Sequence, residues 1–189
     1  APEQLRLAES RVAVVGAGGL GGQVIVLLAR LGVGTLVVVD CDLFDETNLN
    51  RQALCVGETL GESKARAAVA AVASINPGVR VIPHPERIDA GVIDAILAGS
   101  DVVVDGLDNA PDRLLLQDAA GRLGIPMVHG ALAGFEGRVM TVLPGDAGVK
   151  PLYGEAADRA DPDRPEAVLG VPAVTAALIG AFQAMEVLK

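Results

Sequence analysis

The sequence predicts an α/β fold with a doubly wound, mostly parallel sheet, and three observations support this prediction. Hydrophobic residues make up 51% of the 189-residue chain and aromatic residues only 2%, so the core must consist of Val, Leu, Ile and Ala, as in a buried parallel sheet. Short apolar runs alternate with helix-like segments along most of the chain, and the first run leads directly into a glycine-rich turn. The length is that of one domain, so we expect residues 1–189 to form a single unit.

The glycine-rich turn is the most informative stretch. A predicted strand at 11–15 precedes it, and a mostly apolar helix at 23–31 and a second strand ending in Asp40 follow. The glycines of the turn are Gly16, Gly18, Gly19 and Gly21. In a Rossmann-like unit, such glycines allow close approach of a phosphate to a helix N-terminus, and the acid binds ribose hydroxyls. The glycines could instead only permit a tight turn, but the order of the flanking elements favours a bound nucleotide.

The remaining elements continue the alternation. Further helices are predicted at 3–10, 64–75, 90–97, 111–123 and 170–188, with Ser63 as a helix N-cap. Further strands are predicted at 36–39, 79–83, 101–105, 125–131 and 135–143, the last one antiparallel to its neighbour. Because ligands of open α/β sheets bind at the carboxyl ends of the strands, we expect Asp40 and Asp108 at the same rim of the sheet.

The C-terminal part contains two contrasting segments. Residues 145–166 are rich in Asp, Pro, Arg and Gly, which predicts a surface loop. The long apolar helix at 170–188 carries Glu186 as its only charge, so we expect it to be buried within this subunit or between two subunits. The chain starts without methionine and stops inside this helical pattern, and we expect both ends to be truncated.

The charge, the hydrophobicity pattern and the cysteines of the chain argue against several classes of function. A net charge of −9 argues against a nucleic-acid-binding surface. The chain has no apolar run long enough for a membrane span and no charged-then-apolar leader, so we expect no membrane partner and a cytoplasmic location. Cys41 and Cys55 form no CxxC motif; one disulfide is possible, but isolated reduced thiols are favoured.

A polar stretch at 41–52 and the helix after it supply candidate phosphate ligands, Arg51 and Lys64. Arginine offers a rigid fork for phosphate, and lysine a compact charge. The simpler alternative is a solvated loop arginine and a surface lysine. However, Lys64 stands in the first turn of a predicted helix, where the helix dipole disfavours a cation, and this favours a phosphate role. Asp42 is the acid of this stretch that we expect nearest to the nucleotide.

The strand at 101–105 is followed by Asp108, which could hold Mg2+ or cap the next helix. Asn109 could serve only the turn. Arg113 is expected to be a solvated helix residue, and His84 and His129 a loop histidine and a strand-end histidine. Nothing pairs with these histidines in a triad pattern.

Five spaced motifs, taken in order, resemble the ThiF/MoeB/HesA family, the bacterial relatives of ubiquitin-activating enzymes. The motifs are Gly16-Ala17-Gly18-Gly19-Leu20-Gly21, Val38-Val39-Asp40-Cys41-Asp42, Asn48-Leu49-Asn50-Arg51-Gln52, Lys64 and Leu107-Asp108-Asn109. The segment from Gly170 to Glu186 is also similar to the C-terminal helix of that family, so the resemblance covers essentially the whole chain.

The resemblance implies a function. It implies ATP-dependent adenylation of the C-terminal glycine carboxylate of a small ubiquitin-fold sulfur carrier of the ThiS or MoaD type, with release of pyrophosphate. Arg51 would line the triphosphate, Lys64 would stabilise charge developing at the α-phosphate, and Asp108 would bind Mg2+. Positioning and positive charge suffice for attack by a carboxylate on a phosphate, so no protein nucleophile is required.

The resemblance also assigns the remaining residues of the ATP site. Gly19 would lie by the phosphates and Asp40 would hold the ribose. Thr47 and Asn48 would line the triphosphate together with Arg51, and Asn109 would sit beside the magnesium ligand.

The chain departs from the family pattern in three respects. Members often carry two CxxC pairs for structural zinc, whereas Pro151-Leu152-Tyr153-Gly154-Glu155 stands at the first pair and the second is absent, so we expect no zinc site. The loop cysteine that some members use for thioester or persulfide chemistry would fall near Glu166. Arg6 is too close to the first strand to match the arginine that reaches a neighbouring subunit, but the apolar C-terminal helix suits a homodimer interface.

Three functions are therefore considered. The first is an adenylyltransferase for a sulfur carrier. The second is an NAD-dependent oxidoreductase, which the glycines and Asp40 permit but which leaves Arg51, Lys64 and Asp108 without a role. The third is a non-catalytic scaffold of the same fold, in which loss of the ATP-site residues would be expected.

Overall fold

The computed structural model describes residues 2–154 and 168–189. Its helices are α1 (Pro2–Glu9), α2 (Gly19–Leu31), α3 (Lys64–Ile75), α4 (Ile93–Leu97), α5 (Ala110–Leu123), α6 (Lys150–Tyr153) and α7 (Ala173–Val187). Its strands are β1 (Arg11–Val15), β2 (Thr35–Val39), β3 (Arg80–His84), β4 (Val102–Asp105), β5 (Met127–Ala133) and β6 (Glu136–Val142). Two short 3-10 turns, Glu46–Asn48 and Gly57–Thr59, lie between β2 and α3.

Within the described ranges, six strands form one sheet in the order β3-β2-β1-β4-β5-β6. Neighbouring strands are parallel from β3 to β5, and β6 runs antiparallel to β5. The chain moves outward from β1 to β3, then returns to the other side of β1 to form β4. This reversal opens a crevice at the carboxyl ends of β1 and β4. The predicted doubly wound α/β fold with an antiparallel C-terminal strand is therefore confirmed.

Strand β1 shows how the sheet separates two apolar layers. Val12 and Val14 pack into one layer with residues of α2 and α3, whereas Ala13 and Val15 pack into the other with residues of α4 and α5. Side chains alternate between the faces of a strand, so a strand that is apolar at every position requires cover on both faces. This requirement explains the near absence of polar residues from β1 and β2.

Three glycines allow backbone segments to meet without side chains between them. Gly16 has a φ of +90°, which side-chain-bearing residues rarely adopt. A Cβ on Gly21 would lie 1.7 Å from the Gly16 carbonyl oxygen, and one on Gly106 would lie 2.7 Å from the same atom. The turn after β1, the first turn of α2 and the end of β4 therefore touch through bare backbone.

The starts of α2 and α4 differ from their predictions for identifiable reasons. Helix α2 begins at Gly19 rather than near Gln23, because the turn glycines supply the first helical turn and Gly22 N donates to Gly18 O. Helix α4 covers only Ile93–Leu97, since the Asp89 carboxylate accepts hydrogen bonds from Gly91 N and Val92 N and holds a turn before it. The predicted helix at 64–75 and its N-cap Ser63 are confirmed.

The described first part of the predicted surface loop at 145–166 is mostly exposed, but it contains a buried residue and a short helix. Val149 is fully buried, and its backbone N–H donates to the Gln117 side chain. Helix α6 follows, and Tyr153 packs against the core layer on the α5 face. The apolar side chains at 149 and 153 are the physical reason for this burial. Residues 155–167 lie outside the described part of the chain.

Helix α7 packs against α2, β5 and β6, and one face of it stays exposed in this subunit, so contacts within the subunit alone do not bury the whole helix. Its buried face includes Gln183, whose Nε2 donates to the carbonyl oxygens of Asp105 (2.9 Å) and Val128 (3.2 Å). The opposite face leaves Val174 70% and Leu178 56% exposed. A helix that is apolar on every side cannot bury its whole circumference against one sheet. No helix of the described ranges is long and apolar enough to cross a bilayer.

The glycine contact predicts the effect of one methyl group. Gly21→Ala places a Cβ against the Gly16 carbonyl, and we expect it to lower the free energy of unfolding by about 3 kcal/mol. Gly121→Ala in α5 is the matched control, because a Cβ there meets no atom within 4 Å and should stabilise the helix by about 0.5 kcal/mol. Urea unfolding of both variants tests this; equal effects would contradict the contact.

Candidate functional site

A cavity of about 430 Å3 opens at the carboxyl ends of β1, β2 and β4. The glycine turn, the residues following β2 and β4, and the segment leading into α3 contribute to its walls. The sequence-predicted residues that line it are Gly16, Gly18, Gly19, Asp40, Asp42, Arg51, Lys64, Asp108 and Asn109. The expected placement of Asp40 and Asp108 at the same rim is therefore confirmed.

Three of the candidate residues do not line this cavity. Gly21 lies behind the turn against Gly16. Thr47 and Asn48 build the first 3-10 turn, in which Thr47 N donates to the Asp45 carboxylate and Asp45 N donates to Asn48 Oδ1. Arg51 Nη1 in turn donates to Thr47 O at 2.8 Å. Thr47 and Asn48 thus shape the loop from which Arg51 reaches the cavity.

The Asp40 carboxylate closes the glycine turn. Its two oxygens accept hydrogen bonds from Ala17 N (2.7 Å) and Asp42 N (2.8 Å). Burial raises the pKa of Asp40, and the hydrogen bond from Asp42 N and the charge of Lys64 partly oppose that shift. The carboxylate therefore connects the turn after β1 with the end of β2.

Lys64 supplies a largely buried cation at the cavity wall. Its Nζ lies 3.0 Å from Asp42 Oδ2, and its side chain is 7% exposed whereas that of Asp42 is 64% exposed. Its backbone N–H donates to Asp42 O, so the lysine begins α3 beside the end of β2. The alternative of a surface lysine is therefore wrong. Arg51 lies nearby, with its side chain against Gly19.

The sequence left two roles open for Asp108, Mg2+ binding and capping of the next helix, and the structure gives the second role to Asn109. Asn109 is the N-cap of α5, because its side-chain oxygen accepts a hydrogen bond from Asp112 N at 3.0 Å. Asp108 is exposed in the cavity, and Asn109 Nδ2 approaches it at 3.4 Å. The capping role thus belongs to Asn109, and the carboxylate of Asp108 faces the site.

The rest of the rim contains residues to which the sequence analysis assigned no role in the site. Arg87 Nη2 lies 2.9 Å from Asp112 Oδ2 and joins the end of β3 to α5 beside the cavity. Gln52 is buried against Gly18, and among the described residues none donates a hydrogen bond to its Oε1. The free thiol of Cys41 lines the rim and Cys55 is buried, so the prediction of two unpaired thiols is confirmed.

Beneath the cavity lies a buried polar network that sequence reasoning missed. His129 Nδ1 lies 2.7 Å from Asp105 Oδ2, and both side chains are fully buried. Tyr153 Oη lies 3.2 Å from His129 Nε2 and accepts a hydrogen bond from Arg113 Nη1. The predictions of a solvated Arg113 and a plain strand-end His129 are wrong. The sequence did contain one sign of this network: Asp105 is a charged residue in the otherwise apolar strand β4, and a buried charge requires polar partners.

The donor groups of the site set limits on metal binding. Within the described ranges, no group of three or more His, Cys, Asp or Glu side chains could hold a metal ion. Asp108 contributes one exposed carboxylate, a hard oxygen ligand. This fits Mg2+ held by one carboxylate together with substrate phosphates and water, which is the usual mode for that ion.

The fold and this cavity define a class: a Rossmann-like α/β domain with an acid and two cations grouped around its glycine turn. Within that class, the chain belongs to the ThiF family, whose family model matches residues 1–189. The family predicted from the sequence is thus confirmed.

Curated relatives agree with this assignment. The chain is 45% identical to the SAMP-activating enzyme E1 of Haloferax volcanii over 98% of its length and 68% of that protein. It is 40% identical to the sulfur carrier protein adenylyltransferase of Thermus thermophilus, covering 98% of this chain and 70% of that one. Mouse adenylyltransferase and sulfurtransferase MOCS3 is 41% identical, and the chain spans 40% of it.

Solved structures share the fold at lower identity. A crystal structure of E. coli MccB with ATP matches with a TM-score of 0.80 and 21% identity, over 99% of this chain and 56% of that one. A structure of PaaA matches with a TM-score of 0.80 and 23% identity, over 99% and 57% of the two chains. The chain therefore spans a little more than half of these proteins.

The raised pKa of Asp40 predicts a pH effect on stability. Ionising this buried acid costs more in the folded than in the unfolded state, so the penalty is present at pH 7 and disappears as the pH falls through the folded pKa. We expect the stability of the wild type relative to Asp40→Asn to rise as the pH is lowered from neutral towards the unfolded value of 3.8. Thermal unfolding across this range measures the difference.

Asp45→Asn is the control of opposite sign. The hydrogen bond from Thr47 N lowers the pKa of Asp45, so its stabilising contribution is present above the unfolded value of 3.8 and is lost at lower pH. The same pH trend in both variants would contradict the assignment for Asp40.

Proposed function

We propose that this chain is an ATP-dependent adenylyltransferase that activates the C-terminal glycine carboxylate of a ubiquitin-like sulfur carrier protein and releases pyrophosphate. The observation that supports it best is the convergence of the glycine turn, Asp40, Arg51, Lys64 and Asp108 on one cavity. The relatives named as a SAMP-activating enzyme and a sulfur carrier protein adenylyltransferase support the same activity.

The reaction needs positioning and charge rather than a protein nucleophile. A carboxylate oxygen of the carrier forms a bond to the α-phosphorus of ATP, the bond from that phosphorus to the bridging oxygen breaks, and pyrophosphate leaves. Negative charge increases on the α-phosphate oxygens during this exchange. Fixed cations that are already in place stabilise that charge without reorganisation.

Lys64 is suited to this role because its present partner is exchangeable. Its ammonium group is buried, but the Asp42 carboxylate beside it is mostly exposed. Phosphate oxygens can replace Asp42 at Lys64 while Asp42 turns to water. Arg51, whose side chain lies against Gly19, contributes a second cation to the cavity and can bind two phosphate oxygens at once.

The acids of the cavity take complementary roles. Asp40 accepts the ribose hydroxyls while its hydrogen bonds from Ala17 N and Asp42 N keep it in place. Asp108 contributes the carboxylate for Mg2+, an ion that neutralises phosphate charge when it is bound. Asn109 holds the start of α5 and hence the orientation of the adjacent turn.

The exposed face of α7 supports a homodimer. Val174, Leu178, Phe182 and Met185 form a stripe along one side of the helix, with exposures between 47% and 70%. An apolar stripe of this length is unusual on a surface that stays in water, and a self-complementary patch is the simplest way for one chain to cover it. A cytoplasmic location stays a prediction.

Pyrophosphate exchange tests the activity. With ATP, Mg2+ and a carrier ending in Gly-Gly, we expect the wild-type protein to exchange labelled pyrophosphate into ATP. Lys64→Ala should reduce exchange by about a hundredfold, because it removes a cation from the developing charge. Arg66→Ala is the control, since Arg66 lies on the exposed side of the same helix and carries the same charge.

Other results of the exchange and nucleotide-binding experiments would favour a different mechanism or function. Full exchange in Lys64→Ala would remove lysine from the proposed mechanism. ATP binding without exchange for any carrier would indicate a different carboxylate substrate. Binding of NADH instead of ATP would favour an oxidoreductase, and no nucleotide binding would favour the scaffold.

The dimer is tested by one charge in the α7 stripe. Leu178→Glu should convert a dimer into a monomer in sedimentation experiments, because dimerisation would bury the carboxylate without a partner. Val69→Glu on α3 is the control at another exposed apolar position. A wild-type protein that is already monomeric would contradict the proposed interface.

A further inference from the structure

Tyr153 is the residue of α6 that contacts Arg113, a residue of the cavity wall. Its ring lies edge-on to His129, with 5.7 Å between ring centroids, and the Arg113 guanidinium carbon lies 5.2 Å from the centre of the ring. Its hydroxyl contacts both His129 Nε2 and Arg113 Nη1. A single side chain from the segment after β6 thus touches two residues beneath the site.

The other ends of these contacts meet at the two backbone groups of one residue, Leu107. Arg113 Nη2 donates to the Leu107 carbonyl oxygen at 2.5 Å. Leu107 N donates to Asp105 Oδ1 at 2.9 Å, and His129 Nδ1 lies 2.7 Å from the other oxygen of the same carboxylate. The network therefore runs from Tyr153 in two directions and closes on both sides of Leu107.

One assignment of protons satisfies every hydrogen bond of this closed network. The Tyr153 oxygen accepts from Arg113, so its own proton is donated to His129 Nε2. His129 then carries its proton on Nδ1 and donates it to Asp105. Because Asp105, His129 and Arg113 are at most 3% exposed, water cannot replace a lost partner.

The residue next to Leu107 is Asp108, whose carboxylate faces the cavity. Asp108 has little of its own to fix it, since it is exposed and its neighbour Asn109 Nδ2 approaches only to 3.4 Å. The direction of its side chain therefore depends on the backbone of the turn, which the network holds.

We propose that Tyr153 is a positioning residue for the magnesium-binding turn. Its hydroxyl fixes Arg113 and His129, and through them the backbone of Leu107, which orients the adjacent Asp108. The inference rests on the proposed function, because it takes Asp108 as the metal ligand. It goes further by making the segment around α6 part of the ATP site, although Tyr153 itself does not line the cavity.

The segment that carries Tyr153 is also attached to α5 at its start. Gln117 of α5 accepts a hydrogen bond from Val149 N, so α6 is attached to α5 at its start and through Arg113 at its end. Both anchors are on the helix that begins directly after Asp108 and Asn109. Loss of the second anchor removes one hydrogen-bond partner of Arg113, whereas the first anchor keeps α6 docked.

The test compares Tyr153→Phe with Leu152→Ala in the full-length protein. Phenylalanine keeps the ring and removes only the hydroxyl, and Leu152 is the half-exposed neighbour on α6 that is outside the network. Calorimetry measures ATP affinity at a series of Mg2+ concentrations and in EDTA. For Tyr153→Phe we expect the Mg2+ concentration for half-maximal ATP binding to rise about tenfold, the usual effect of losing a partner behind a metal ligand.

Further measurements separate a positioning role from a general effect on stability. ATP affinity in EDTA should stay within about twofold of the wild type in both variants, and Leu152→Ala should show the wild-type Mg2+ dependence. Arg113→Lys should reproduce the Mg2+ effect, because lysine cannot contact Tyr153 and the Leu107 carbonyl together. Combining it with Tyr153→Phe should add nothing further, since both act through one network.

Two outcomes would overturn the inference. Tyr153→Phe with an unchanged Mg2+ dependence, in a wild-type background that binds ATP and exchanges pyrophosphate, refutes the positioning role alone. A wild-type protein that binds no ATP with Mg2+ refutes the proposed function and, with it, this role. If Tyr153→Phe does not fold, Arg113→Lys and its Mg2+ dependence decide in the same way.

Discussion

Close backbone contact at three glycines is the constraint on which the rest of the site depends. Gly16, Gly21 and Gly106 bring the turn after β1, the start of α2 and the end of β4 within touching distance. With any side chain at these positions, the helix would move away from the sheet and the crevice between β1 and β4 would widen. The N-terminal turn of α2, with its unpaired N–H groups, therefore faces the same small volume as the residues after β4. The acids and cations of the cavity have a common target only because of this contact.

The cations near the cavity are held in two different ways. Lys64 pairs with an exposed carboxylate, whereas Arg113 lies 3.8 Å from the fully buried Asp105 and donates to a backbone carbonyl. An exposed partner can be released to water at low cost, but a buried one cannot. Lys64 is thus free to exchange its partner for a ligand, and Arg113 is fixed as part of the scaffold. In a chain with a net charge of −9, this arrangement reserves local positive charge for an anion.

Local sequence rules were sufficient for the strands of the sheet, for most of the helices and for the residues of the cavity that adjoin the glycine turn. The apolar runs, the glycine turn and the serine before α3 placed the strands, the nucleotide-binding unit and the helix carrying Lys64. They failed where a side chain's partner is distant in sequence. Arg113 reads as an ordinary helix cation until Tyr153, 40 residues later, is brought to it by tertiary packing. Likewise, the composition of residues 145–154 indicates a loop, and only the fold provides the pocket for Val149.

The amide of Gln183 ties the last helix to the strand beneath the site. It donates to the carbonyl of Asp105, 78 residues earlier in the chain, and to that of Val128 on the next strand. Contacts of such sequence separation form late, because a long loop must close before they stabilise anything. On the ribosome, the strands and the glycine turn can emerge and pair while α7 is still unsynthesised. The strands beneath the cavity then lack the two hydrogen bonds from Gln183, and these can form only after translation has passed residue 183.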